Sequence, residues 1–285
     1  KPFFLILISL YTSTLGASPL EVKIRGPQSE FDASQDYFQG LLRLAFEKSS
    51  TEVKLVLAPY MVQARALDEL RFGRLIDVYW AGFDDKRGHL QDYVPVPLVK
   101  GLLGYRMMIT HQEHIPLLAN INNISDLKHV SLCQGSHWPD TDILLAAGLT
   151  VMPNPVYENM FKQVAKKRCT AFPRGINEAH SEWQSRRESM PELALYRDLL
   201  IYYPFPMYFF VKSGNTELKQ LIHQGLERAI DDGSFQAFME QHPTTRHLFP
   251  LSNWDRVPII QLPNPFLSDD IDIYDRRYWL PPPNP

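Results

Sequence analysis

The sequence predicts an α/β protein built from two units, and three observations indicate this class. Between residues 20 and 81, strand-like runs alternate with amphipathic helical runs in the order β-α-β-α-β. The same alternation starts again after residue 125. Two long extended segments, at about 102–110 and 201–212, join the two units. We therefore predict two α/β units of ordinary domain size, each on the order of 100 residues.

The elements of the first unit are bounded by turn and helix-end signals. Gly26-Pro27 ends the first strand as a turn, Gly73 follows the second helix, and Gly82 ends the third strand. A right-handed parallel arrangement is the usual result of this order. The predicted strands are 20–25, 52–57 and 77–81, and the predicted helices are 37–48 and 63–72.

The second unit repeats the pattern. Pro139 and Asp140 mark the start of its first helix, and Pro173 follows its last short strand. The predicted strands are 129–133, 149–152 and 168–172, with helices at 139–147, 157–167 and 177–189, followed by helices at 215–231 and 234–241. From Phe249 the chain is rich in proline and aspartate, and we expect extended chain on a domain surface.

Composition narrows the function classes. The 285 residues carry a net charge of −3 and no long basic run, so nucleic acid is not an expected partner. No Gly-x-Ser-x-Gly or His-Glu-x-x-His motif is present, and His111 and His114 have no evident third metal ligand. We therefore predict no enzyme activity, no metal and no cofactor.

The first 17 residues indicate export. Lys1 precedes the apolar run 3–10, and Leu15-Gly-Ala17 is a plausible cleavage site. A membrane anchor is the alternative, although the apolar run falls short of the ~20 residues that span a bilayer. We predict a cleaved signal peptide at 1–17 and a periplasmic location. Cys133 and Cys169 could form a disulfide there or remain buried thiols, and both readings are open.

Polar groups follow two predicted strands of the second unit. Gln134, Gly135 and Ser136 come after strand 129–133, while Arg174 and Glu178 come after strand 168–172. Open α/β sheets bind ligands at the carboxyl ends of their strands, where helix N-termini also supply donors. The sequence therefore predicts binding rather than catalysis.

With these pieces in place, the chain resembles the type 2 periplasmic substrate-binding proteins, in the solute-binding family 3 for polar amino acids. The resemblance covers Leu20 to His242 and is carried by the order and spacing of the segments 73–78, 84–87, 95–97, 126–136 and 168–171. It implies two Rossmann-like α/β lobes joined by two crossing strands. Lobe one would comprise 18–105 and 206–285, the latter with the tail, and lobe two 106–205.

The resemblance also implies site residues. Arg87 would clamp a ligand carboxylate, although a surface arginine paired with Asp84 or Asp85 is the alternative. Gly135 and Ser136 would form the donor loop, unless Ser136 is an ordinary helix cap. The remaining residues assigned to the site on lobe one and lobe two are Gly82, Trp80, Gln63, Gln134 and Tyr157, and core packing is the alternative for Trp80 and Tyr157.

One departure from the family bears on the ligand. Amino-acid binders place an aspartate after the third strand of lobe two, whereas this chain has Phe172-Pro-Arg174-Gly175 there. Glu178 could take the role of that acid, or Arg174 could bind a second anionic group. The resemblance implies a monomer that captures a small polar, carboxylate-bearing solute for an ABC-type membrane permease. The alternative is a sensory module that reports occupancy to a membrane receptor.

Overall fold

The computed structural model describes residues 18–32 and 34–281, so the predicted signal peptide at 1–17 lies outside the described residues. The first part of the chain forms β1 (Leu20–Ile24), α1 (Gln35–Lys48), β2 (Val53–Leu57), α2 (Gln63–Phe72), β3 (Val78–Gly82), α3 (Asp85–Leu90) and β4 (Asp92–Tyr93). The middle part forms β5 (Tyr105–His111), α4 (Ile115–Leu118), α5 (Ile124–Leu127), β6 (Ser131–Gly135), α6 (Pro139–Ala146), β7 (Thr150–Asn154), α7 (Tyr157–Ala165), β8 (Ala171–Gly175), α8 (Ile176–Gln184) and β9 (Leu193–Tyr202). The last part forms β10 (Met207–Val211), α9 (Thr216–Asp231), α10 (Ser234–Gln241) and β11 (Ile259–Gln261).

The strands form two mixed sheets flanked by helices, which confirms the predicted α/β class. The first sheet has the order β2-β1-β3-β10-β4, and β10 is antiparallel to its neighbours. The second has the order β11-β9-β5-β8-β6-β7, with β6 parallel to both β7 and β8. The chain passes from the first sheet to the second after β4 and returns after β9. The strands β3 and β8 are both fully buried, and they lie in different sheets.

The second crossing segment differs from the prediction of one strand over 201–212. The structure has two strands there, and they belong to different sheets because β9 pairs with β5 while β10 pairs with β3. Pro204 and Pro206 lie between them. A proline supplies no N–H to a strand ladder, so the two prolines separate the strands.

The strand predicted at 168–172 is also displaced, to Ala171–Gly175. Pro173 lies inside this central strand, opposite Met108 of β5, rather than at its end. The segment before it is held by the Thr170 N–H, which donates to the Ser131 carbonyl at 2.8 Å. Proline is unusual in a central strand because one ladder bond is lost. The full burial of Phe172 beside it supplies compensating apolar contact.

Cys133 of β6 and Cys169 form a disulfide, with their Cα atoms 5.7 Å apart. This distance lies in the usual range for the bond. Cys133 lies inside β6, and Cys169 lies two residues before the neighbouring strand β8, so the pairing of these two strands places the cysteines in adjacent parts of the second sheet. Of the two readings that the sequence left open, the structure has the disulfide.

The tail does not stay with the first sheet, to which the sequence-based division assigned residues 206–285. Ile259 of β11 pairs with Leu200 of β9, so this part of the tail extends the second sheet. Further on, the carbonyl of Phe266 accepts from the Asp85 N–H at 3.1 Å, next to the first sheet. The tail therefore contacts both halves of the molecule. The division into lobes otherwise stays a prediction.

The tail then attaches to α9 and returns to the crossing segment. The Arg277 guanidinium pairs with Glu227 and Asp231 of α9. Trp279 packs on Gly101, whose φ of 84° and missing side chain leave room for the indole ring. This anchorage orders a segment that sequence composition describes only as irregular.

The close packing of α1 on α9 gives a first prediction. A Cβ added at Gly225 of α9 would overlap the carbonyl oxygen of Ala45 in α1, which is backbone and cannot move aside cheaply. We expect Gly225→Ala to lower the free energy of unfolding by about 1–3 kcal/mol or more. Urea denaturation measures the change.

Gly40→Ala is the matched control, because Gly40 also lies within a helix of the same pair. Its added Cβ would lie 2.9 Å from Cζ of Phe238, the movable end of a side chain. Alanine gains about 0.8–1.0 kcal/mol of helix propensity at either position. Equal stability of the two variants would contradict the proposed backbone overlap.

A histidine pair beside α8 gives a prediction on pH. The rings of His247 and His180 have centroids 4.7 Å apart. Burial, together with the nearby charges of His180 and Arg197, lowers the pKa of His247 to about 4, while the backbone of Ile176 works in the opposite direction by favouring the protonated ring. The folded state therefore binds fewer protons than the unfolded state between pH 6.5 and 4. We expect stability to fall as the pH drops through this window.

Urea denaturation at pH 7 and pH 5 measures this fall, and His247→Gln is the control. Glutamine does not titrate, while every other group is shared by the two proteins. The variant should lose less stability between the two pH values than the unmodified protein. An equal loss in both would show that His247 does not contribute to the pH dependence.

Candidate functional site

A cleft of about 450 Å³, its open mouth included, is lined by residues from both sheets. Trp80 and Gly82 come from the end of β3, and Arg87 comes from α3, which follows directly. From the other side, Arg174 at the end of β8 and Glu178 in α8 reach the same cleft. The cleft thus lies at the carboxyl ends of β3 and β8, where α/β proteins bind ligands.

Arg87 is held in the cleft by its own helix. Asp84 caps α3, and its Oδ1 accepts from the Arg87 N–H at 2.7 Å. The Arg87 side chain is 7% exposed, so the alternative of a surface arginine is wrong. Its Nε lies 3.9 Å from Oδ2 of Asp84, at the outer limit of an ion pair. Burial lowers the pKa of Arg87, partly offset by the charge of Asp84.

The guanidinium of Arg87 donates to three neutral oxygens. Nη1 donates to the Gly82 carbonyl at 2.6 Å, and Nη2 donates to Oε1 of Gln63 at 2.6 Å. Nη2 also donates to the carbonyl of His137 at 2.7 Å, which lies in the loop after β6. Arg87 therefore bonds directly across the cleft. None of its three close partners carries a negative charge that would neutralise the guanidinium.

Arg174 is engaged differently, in a buried ion pair within the second half. Its Nε and Nη2 donate to the two carboxylate oxygens of Glu182, each at 2.7 Å. Tyr157 donates its hydroxyl to the same carboxylate at 2.6 Å. Burial opposes the charge of Arg174, but the charges of Glu178 and Glu182 raise its pKa overall. Arg174 is therefore already paired with carboxylates of its own chain.

Glu178 presents a less satisfied carboxylate to the cleft. Its Oε2 lies 2.9 Å from Nη2 of Arg174, yet the geometry makes no hydrogen bond. Burial raises the pKa of Glu178, although the charge of Arg174 works against this. Across the cleft, Nε1 of Trp80 is a buried donor without a partner among the described residues. The cleft therefore has an unused donor on one side and an unused acceptor on the other.

A smaller depression of about 370 Å³ adjoins the cleft and shares Gln63 with it. Gly135 and Ser136 line this depression together with Tyr157. Gln134 lines neither space, because it is fully buried and its Oε1 accepts from the Gly135 N–H at 3.2 Å. The prediction that Gln134 contacts the ligand therefore disagrees with its burial outside both spaces. Tyr157 is 4% exposed and bonded to Glu182, so core packing describes it better.

Six of the ten predicted residues line the cleft itself. They are Gln63, Trp80, Gly82, Arg87, Arg174 and Glu178. Further charged and aromatic residues that the sequence pattern did not indicate also line it: Arg25, Phe38, Arg106, Trp138, Asp140 and Phe205.

Two of the missed residues carried a signal in the sequence. Arg106 is a lone charge within an apolar strand segment, and Asp140 was noted only as a helix start. In the structure the two form a buried ion pair. Nε of Arg106 also donates to the hydroxyl of Tyr203 at 2.8 Å, and that hydroxyl donates to Oδ1 of Asp140 at 2.7 Å. A charge within a buried strand needs such a partner.

Across residues 18–32 and 34–281, histidine, cysteine, aspartate and glutamate side chains do not gather in groups of three or more that could hold a metal ion. In the same ranges, every helix is too short or too polar to cross a membrane.

Comparison with known proteins shows the fold. Neither the protein-family models nor the curated proteins contain a match to this chain. Among solved structures, an ancestral arginine-binding protein bound to arginine is 16% identical, with a TM-score of 0.58, over 78% of this chain and 97% of that chain. The GluR0 ligand-binding core from Nostoc punctiforme with L-glutamate is 15% identical, with a TM-score of 0.57, over 78% and 98%. A histidine kinase sensor domain with similarity to periplasmic binding proteins is 15% identical, with a TM-score of 0.56, over 78% and 94%.

At these identities the likeness concerns the fold, and this chain has the two-lobed α/β fold of periplasmic binding proteins. That confirms the fold that the sequence resemblance implied. The matched structures described here are mostly binding proteins, and one other is an ancestral amino-acid-binding protein, a precursor of cyclohexadienyl dehydratase.

Proposed function

We propose that this protein is an exported solute-binding protein that captures a small polar, carboxylate-bearing solute between its two lobes. The observation that carries the proposal is Arg87, a buried guanidinium in the cleft whose close partners are all neutral. A carboxylate matches a guanidinium in charge and planar geometry and can accept two parallel bonds from it. Delivery to an ABC-type permease in the periplasm follows as part of the same proposal.

The second half of the cleft suggests where the rest of the solute is bound. Glu178 has an unsatisfied carboxylate oxygen, so it can accept from an ammonium or other donor group of the ligand. This residue supplies the acid that the segment Phe172–Gly175 lacks. Arg174 serves as its neighbour rather than as a second anion site, because Glu182 already occupies its guanidinium. An amino-acid-like zwitterion fits this arrangement, and related folds are known with arginine and glutamate bound.

Binding would be coupled to closure of the lobes. Arg87 contacts the second half through His137, and the ligand would take over this bridging contact. A ligand that touches both halves favours the closed population, because its contacts are complete only there.

A thermal-shift screen tests the function directly. The unmodified protein is heated with amino acids, small di-acids, short peptides and sugars. A solute at 100 times its dissociation constant should add about 2.7 kcal/mol of stability. We expect stabilisation by at least one carboxylate-bearing solute and none by the sugars. Stabilisation by sugars alone, or by no solute in the screen, would contradict the proposal.

Sensing is the second candidate, and the likeness to a histidine kinase sensor domain favours it. In that case the occupied lobes would bind a membrane receptor instead of a permease. The genes next to this one distinguish the two, since a permease and an ATPase indicate uptake while a kinase or cyclase indicates sensing. We propose no catalytic activity. Nuclear magnetic resonance of the bound solute after prolonged incubation should show it chemically unchanged.

A further inference from the structure

A second and larger cavity lies between the tail and the region where the chain crosses between the sheets. Its volume is about 1300 Å³, its open mouth included. Its lining includes Leu102, Ile176 and Leu200, then Ile259 of β11, which lies beside Leu200 in the same sheet, and Trp254 of the tail. None of these five residues lines the cleft around Arg87. The cavity is therefore separate from the site proposed above.

The tail supplies a wall that contains Trp254, Ile259, Leu280 and Pro281, and this wall is fixed by the fold. The strand β11 pairs with β9 and anchors one end of the wall. At the other end, the Leu280 N–H donates to the Lys100 carbonyl at 3.0 Å, and the Tyr105 hydroxyl donates to the Pro281 carbonyl at 2.8 Å. Hydrogen-bonded segments therefore border the open cavity at both ends of this wall.

The lining of the cavity favours an apolar ring. Leu102, Ile176 and Leu200 are almost fully buried and form an apolar floor, and the half-buried Leu251, Trp254 and Ile259 above it supply the accessible apolar surface. Nε1 of Trp254 donates to the Leu248 carbonyl at 3.0 Å, and the Tyr105 hydroxyl is engaged as described. Because their polar ends are already bonded, these two side chains offer mainly ring surface to a ligand.

The rim of the cavity adds one charge. Asp255 lines the cavity and is exposed, and within the described ranges its carboxylate makes no ion pair. The neighbouring Arg256 does not line the cavity. A free carboxylate above an apolar floor favours a ligand with a protonated amine at one end of an apolar body.

We propose that this cavity is a second ligand-binding site, which takes a small molecule with an apolar ring and an amine head. The ligand class differs from that of the cleft, where Arg87 selects a carboxylate. The two sites share a wall, because Leu102 lines the cavity while Leu103 lines the cleft. Likewise Ile176 lines the cavity while Glu178, two residues later, lines the cleft.

Three molecules with one carbon skeleton test the proposal by titration calorimetry on the full chain. Phenethylamine carries a cation, 2-phenylethanol is neutral and phenylacetate is an anion. We expect phenethylamine to bind most tightly, 2-phenylethanol more weakly and phenylacetate not at all in this cavity. Hydrogen exchange with phenethylamine bound should slow at the shared wall, in residues 101–104 and 175–179.

Three variants locate the binding. Asp255→Asn should remove the preference for the amine over the alcohol, while Asp269→Asn, an exposed acid of the tail outside the cavity, should keep it. Ile259→Trp should obstruct the cavity from the side of the tail and weaken binding of both molecules. If Ile259→Trp fails to fold, Leu251→Phe takes its place as the variant that obstructs the cavity.

Several results would overturn the proposal. The proposal fails if neither phenethylamine nor 2-phenylethanol gives a binding signal. It also fails if binding is undiminished in Ile259→Trp. Binding that survives Ile259→Trp but is lost in Arg87→Met would assign the molecule to the cleft instead. Retention of the amine preference in Asp255→Asn would remove Asp255 from the site. A failure of the solute screen leaves these measurements unaffected, because they do not depend on the cleft.

Discussion

Replacement of Arg174 with methionine is expected to lower the free energy of unfolding by about 3–5 kcal/mol. The guanidinium makes two bonds to the carboxylate of Glu182, and both side chains are almost completely buried. Methionine fills much of the same space but leaves Glu182 as a buried charge without its cation. A buried charge without a partner is far more costly than the intact pair. Urea denaturation of the solute-free protein measures the loss.

A double variant separates the lost charge pairing from lost packing. Arg174→Met combined with Glu182→Gln removes both charges of this pair and leaves Glu178 beside them, and glutamine can still accept the bond from Tyr157. This variant should recover much of the stability that the single variant loses. A loss below about 1 kcal/mol in the single variant would contradict the buried ion pair. Equal instability of the single and double variants would attribute the effect to packing.

Arg87→Met is expected to weaken binding of a carboxylate solute by about 30-fold or more, because loss of one partner of a buried charge pair costs at least about 2 kcal/mol. The solute that gives the largest thermal shift is used for the titration, with L-arginine and L-glutamate as the first probes. Arg43→Met, at an exposed position of α1, is the control and should leave affinity unchanged. Unaltered affinity in the Arg87 variant would remove this residue from the site.

The same variant is expected to lose stability without solute. A clamp residue that had no partners without its ligand could be replaced with almost no change in the solute-free melting point. The structure leads to a different expectation, because Arg87 bonds Gly82, Gln63 and His137. Unsatisfied buried acceptors cost roughly 1–3 kcal/mol. Ligand-induced shifts must therefore be compared with the variant's own solute-free baseline.

The fold was readable from the sequence because periodicity reflects which face of each element is buried. Helices α2 and α10 begin and end where the pattern predicts, at 63–72 and 234–241. The errors occur where proline acts through tertiary context. Pro173 was read as the end of a strand but lies inside β8, while Pro204 and Pro206 divide a run that apolar character alone joins together.

The site was readable in part, for a related reason. Arg87 and Gly82 follow a predicted strand, and the carboxyl end of a strand is a position that local sequence reveals. The partner of Arg87 across the cleft is a backbone carbonyl 50 positions away, which no side-chain pattern encodes. Gln134 has the same strand-end position as Gly135, yet the orientation of its side chain buries it. Alternation along a short strand does not by itself tell which face meets the ligand.

The bond from Arg87 to His137 has a consequence for how the empty protein behaves. If a solute carboxylate binds Arg87 as proposed, it must displace the carbonyl of His137, so the affinity would be the difference between two competing contacts. If the lobes can close without a solute, the empty protein would also present the closed conformation to a membrane partner. Such a partner would then bind a small fraction of the protein even in the absence of the solute, unless the partner also contacts the solute directly.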